Sequence, residues 1–149
     1  MIGGACLGIL LTIIYDRIRE KEITTEVRKL ILNEMKDNLN ALNEVLEVIN
    51  DLSSEQRPRH IEPLSIEEIA TRVEKACHRK VFDAYYRKLP TLGTETMKKV
   101  ILFYDGFREV PNSFREIERF AGNIRAGLFQ DYIQHLISKG ESAINAIKG

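Results

Sequence analysis

Hydrophobic and polar positions along this chain follow one rhythm, in steps of three and four. From Leu32 the apolar residues fall at Leu32, Met35, Leu39, Leu42, Leu46 and Ile49, the a/d spacing of a helix seam. Ile31, Asn38, Val45 and Leu52 form a second stripe, seven residues apart, beside it. The resulting face is wider than a two-stranded coiled coil requires and suits a multi-helix bundle. The rhythm returns in Ile66, Ile69, Val73, Ala76 and Cys77, in Met97, Val100, Ile101, Tyr104 and Phe107, and in Phe114, Ile117, Ala121, Ile124 and Leu128. Tyr132, Leu136 and Ile137 extend the last set. The pattern predicts an all-α body.

Punctuation divides these helices. The polar, proline-bearing stretch 53–64 predicts the main loop. Ser65-Ile66-Glu67-Glu68 then reads as a capping box, in which serine and glutamate satisfy free backbone donors. The helix it opens is expected to run to Leu89, with Pro90 and Gly93 ending it and Thr94 capping the next. Val110-Pro111 predicts a stop, Ser113-Phe114-Arg115-Glu116 a restart, and Gly140 a break in the last helix.

The leading segment differs from the rest. Met1 to Tyr15 carries no charged side chain, and charges begin abruptly at Asp16 and Arg17. As a helix it spans roughly 22 Å, against about 30 Å of hydrocarbon core. It lacks the basic leader and small-residue cleavage site of a signal peptide. Gly3-Gly4-Ala5-Cys6 is no lipobox, because its apolar stretch follows the cysteine. The alternative of a buried core helix is weighed against a membrane anchor, and the anchor is favoured: residues 1–15, either thinning the bilayer or continuing upstream of Met1, with the helical bundle over 16–149. Arg17, Arg19 and Lys21 follow the apolar run and nothing basic precedes it, so the positive-inside rule expects a single-pass protein of the cell membrane with its body cytoplasmic. Gly4, Gly8 and Thr12 lie one turn apart, a small-residue stripe suited to contact between membrane helices. No proline or glycine interrupts Thr12 to Leu52, so anchor and first bundle helix are expected to form one rod of roughly 75 Å.

Composition narrows the function classes. Lys+Arg and Asp+Glu both number 22 in 149 residues, which argues against nucleic-acid binding by bulk phosphate attraction. A 44% hydrophobic and 30% charged chain fits a folded helical protein with a wet surface. Two cysteines in unlike settings, Cys6 and Cys77, suggest a reducing compartment rather than a disulfide framework. His60, His78 and His135 share no helical i, i+4 spacing, and no phosphate-loop, dinucleotide or nucleophile-elbow motif occurs. No cofactor, metal or catalytic residue is therefore expected. Phe103, Tyr104, Phe107, Phe114 and Phe120 read as core. Glu34 and Asn38, one turn apart at the margin of the apolar stripe, read as a polar pair that hydrogen-bonds a neighbouring helix or loop end.

Glu34-Met35-Lys36-Asp37-Asn38-Leu39-Asn40-Ala41-Leu42 resembles the E-[IM]-x-x-N-L-x-x-L segment of a loose group of uncharacterised prokaryotic single-span proteins. The aromatic stretch Val81 to Leu89, the turn Pro90 to Gly93 and Val100-Ile101-Leu102-Phe103-Tyr104 resemble their later segments. The resemblance implies a membrane-tethered cytoplasmic helical domain and no activity. The function expected is a membrane-anchored interaction protein, an adaptor or accessory subunit without catalysis. Its partners would be the lipid bilayer through residues 1–15 and an unidentified protein or a second copy. The alternative is a signalling or effector protein whose anchor helix oligomerises.

Overall fold

The computed structural model describes residues 2–53, 66–120 and 125–149. These residues form helices and their links, with no strand among them. Helix α1 (Ile2–Ser53) is followed by α2 (Ile66–Ala76), α3 (Lys80–Tyr85), a 3₁₀ segment (Tyr86–Leu92), α4 (Thr94–Arg108), α5 (Val110–Phe120) and α6 (Arg125–Lys148). The expected loop 53–64 and the capping serine Ser65 lie, apart from Ser53, outside the described residues.

Helix α1 is one unbroken rod of 52 residues, about 78 Å long. No break in the helix separates its first part from its bundle part. Val27, Ile31, Met35, Leu42 and Ile49 are buried on one side of it, while Leu32 and Leu46 are partly buried at the edge of that face. Helix α6 packs along α1 and antiparallel to α4. Tyr132 of α6 donates to the Gly106 carbonyl of α4 at 3.0 Å, and Thr96 near the start of α4 donates to the Ala146 carbonyl near the end of α6. Between those two bonds, Gly140 lies against Leu39 of α1 and Phe103 of α4. Helices α2 and α5 pack on each other beside this core.

Several elements differ from the expectations. The helix expected to run from Ser65 to Leu89 breaks at Cys77–Arg79, although neither glycine nor proline stands there. The break is held from outside, by side chains of α1 described below. Gly93, at φ 90°, occupies the N-cap of α4 in place of Thr94. A residue with a Cβ rarely adopts that conformation. Helix α5 restarts at Val110, ahead of the Ser113 box, with Glu109 as its one-residue turn. Pro111 falls in the first turn, where a missing N–H costs nothing. Gly140 does not break α6 but serves its close approach to α1 and α4. Phe129, rather than Leu128, faces the core.

No helix among the described residues is long and apolar enough to cross a membrane. The expected single-pass span is therefore not found. Among the described residues, the apolar run is cut short by Asp16, Arg17 and Arg19, the first of six charges in the seven residues from Asp16 to Glu22.

Candidate functional site

Two regions concentrate features that the fold alone does not require: the leading arm of α1 and the polar seam around Glu34.

Residues 8–22 of α1 are exposed throughout, and Val27 is the first fully buried residue. Ile9, Leu10 and Leu11 are 62%, 58% and 59% exposed. Successive helical residues point about 100° apart, so these three spread apolar surface over about 200° of the circumference. Ile13, Ile14, Tyr15 and Ile18 extend it. An apolar face this wide is ordinarily buried in protein or lipid. The small stripe lies on this arm. Gly4 is within α1, no atom lies within 4 Å of where a Cβ on Gly8 would be, and Thr12 donates its hydroxyl to the Gly8 carbonyl at 2.9 Å. Thr24 and Thr25 bond the Glu20 and Lys21 carbonyls in the same way further along the helix.

The second region sits where α1 crosses the α2–α3 break. Asn38 is fully buried and grips His78 twice: its amide donates to the His78 carbonyl and accepts from the His78 N–H, both at 2.7 Å. One turn earlier, Glu34 accepts from the backbone N–H groups of Val81 at 2.7 Å and Phe82 at 3.0 Å. These are orphan donors at the start of α3, which has no capping side chain of its own. The Tyr104 hydroxyl donates to the same carboxylate at 2.7 Å. Burial first, and then the Glu34 carboxylate, hold that hydroxyl above its ordinary titration range. The Phe82 ring stacks on Tyr104 at 4.1 Å. Three elements are thus joined through two polar side chains of α1.

Cys77 is buried beside this seam, and burial pushes its thiol up to about 12. Arg79 pairs with Asp83 at 3.0 Å and lies over the Phe82 ring. Its Nε is buried with no acceptor among the described residues. A cavity of about 260 Å³ is lined by Cys77, Arg79, Phe107 and Arg108, among others. A wider groove of about 380 Å³ runs between α1 and α2, with Ala41, Val45, Val48 and Ala76 as its apolar lining and Glu44, Arg72 and Lys75 as its charges. No group of three or more metal-ligating side chains occurs among the described residues.

The seam positions of α1 do not all serve alike. Met35, Leu39, Leu42 and Ile49 are buried core, whereas Leu32 and Leu46 flank it. The buried carboxylate accepts from three donors, an arrangement that ties α1, α3 and α4 together. The link from Glu34 to Tyr104 was not visible in the sequence, because seventy residues separate them. Compared with protein-family models, curated proteins and solved structures, the chain matches none.

Proposed function

We propose that this protein is a membrane-anchored helical interaction protein, an adaptor or accessory subunit. In this reading the apolar arm of α1 enters the bilayer and carries the bundle on its cytoplasmic side. The observation that carries it is the exposure of Ile9, Leu10, Leu11, Ile13 and Ile14 over more than half the circumference of a helix that is continuous with the bundle core. Water does not favour such a surface, at about 25 cal/mol for each Å² left exposed. Arg17, Arg19 and Lys21 come directly after it, and cations in that position favour the cytoplasmic face. The groove between α1 and α2 and the rigid seam at Glu34 give the bundle a fixed outer shape on which a protein partner could act.

Flotation of the full chain with phosphatidylcholine vesicles tests the arm. The wild type should float. The variant Leu10→Glu with Ile14→Glu should stay below at unchanged helicity, since both residues are exposed. Equal flotation of the two would refute the reading. Extraction in mild detergent tests the interaction role, with a stoichiometric partner as the expected result. A second reading, signalling through arm-to-arm association, is favoured by the open face at Gly8. It expects a homo-oligomer that Gly4→Ile with Gly8→Ile dissolves.

A further inference from the structure

We propose that the arm-proximal base of the bundle is a docking surface for anionic phospholipid headgroups. The inference rests on the anchored-arm reading and adds to it a lipid class and a second contact.

The direction of the chain places the base. The α2–α3 link meets α1 at Asn38 and the start of α3 meets it at Glu34, so the chain descends towards the arm. The 3₁₀ segment continues from there, packed on α1 and α4 with Leu89 and Leu92 buried. Helix α4 then returns, and its Tyr104 reaches Glu34. Its first residue lies ten positions earlier, about 15 Å nearer the arm. The end of α6 joins this base, because Ala146 meets Thr96.

The base is cationic in a chain whose charges sum to zero. Arg87, Lys88 and Lys148 are exposed there, beside Tyr86, which is 52% exposed. Glu95 is the acid of α4's first turn, and it is taken up by Lys98 at 3.2 Å. On α1 at this level, Glu22 and Glu26 are offset by Arg28 and Lys29. An exposed tyrosine amid cations is the composition of a membrane interface.

The distances suit a bilayer. With the arm in hydrocarbon up to Tyr15, the base near residue 24 of α1 stands about 13 Å above the core boundary. The headgroup layer occupies about 6 Å of that. The remaining gap of about 7 Å is bridged by a lysine side chain and is shorter than the Debye length of about 8 Å. Each cation held near an anionic surface strengthens binding roughly fivefold.

The test compares the full chain on phosphatidylcholine vesicles and on vesicles containing phosphatidylserine. The wild type should bind the anionic vesicles at least tenfold tighter at low salt, and the difference should shrink in high salt. The variant Arg87→Ser with Lys88→Ser and Lys148→Ser should lose most of that preference while binding neutral vesicles as before. Equal wild-type affinity for both vesicles, or full preference in the variant, would overturn the proposal. Failure to bind neutral vesicles would instead overturn the arm reading, so the two failures are distinct.

Discussion

The Glu34 carboxylate of α1 receives the Tyr104 hydroxyl of α4 at 2.7 Å while it also receives two backbone N–H groups of α3. The two contacts differ in kind. The hydroxyl is one donor among three, whereas the carboxylate is the common acceptor. Tyr104→Phe should therefore cost about 1 kcal/mol, the net worth of one hydrogen bond. Glu34→Gln should cost more, about 2–3 kcal/mol. Its amide nitrogen must face either the Val81 N–H or the Phe82 N–H, leaving a buried donor unmet. Urea denaturation measures both, and equal losses would contradict the cap.

Much of this architecture could be read from periodicity. The stripes of α1 and α4 have the spacing that burial requires, whereas in α6 Phe129 and Ile133 are buried where the spacing predicts Leu128 and Tyr132. Glu34 and Asn38 stand out as polar positions inside the α1 stripe. What the sequence does not carry is the partner. Asn38 meets His78 across forty residues, and nothing in Cys77-His78-Arg79 signals a helix break. The break exists because Asn38 supplies the hydrogen bonds that the helix would otherwise make. Gly140 shows the same limit. Glycine reads as a helix breaker until the neighbour that needs its missing side chain is known.

Asn38 offers a sharper test, because it is donor and acceptor to one residue. Asn38→Asp keeps the acceptor and turns the donor into a carboxylate oxygen facing the His78 carbonyl. At neutral pH the loss should be about 2–3 kcal/mol. Protonation restores a donor, so the folded state should raise the new carboxyl above its unfolded value of about 3.9. The sign follows: the variant's deficit should be smallest below that pH and should grow as pH rises through the raised value. Denaturation across pH 3 to 8 reads this (roughly the span from carboxyl to neutral). A deficit independent of pH would contradict the geometry.

At Gly140 the packing is tighter than a methyl group allows. An added Cβ would lie 2.6 Å from Cδ2 of Leu39 and 2.8 Å from Cε2 of Phe103. In an open helix, alanine in place of glycine gains about 1 kcal/mol. Here Gly140→Ala should destabilise instead, by about 1–3 kcal/mol, as overpacked cores do. Gly140→Ala in a Leu39→Ala background should cost less than the two changes summed, because the first contact is gone. A thermal melt that rises for the single variant would show that α6 does not approach α1 and α4 this closely.

Cys77 makes the last prediction, on reactivity and alkaline stability. Burial pushes its thiol up to about 12, while an exposed thiol titrates near 8.5. The nucleophile is the thiolate, so in a Cys6→Ser background alkylation at pH 8 should be slow in the native chain and fast in denaturant. The linkage sign is that of an acid raised on folding. Its contribution is fully present below about 8.5 and is lost as pH rises towards 12. The native chain should therefore weaken over that alkaline window. Cys77→Ala should weaken less over the same window, though it starts from a lower stability because it leaves a small cavity. Rapid labelling of the folded protein, or parallel alkaline curves for the two chains, would mean that the thiol is open to solvent.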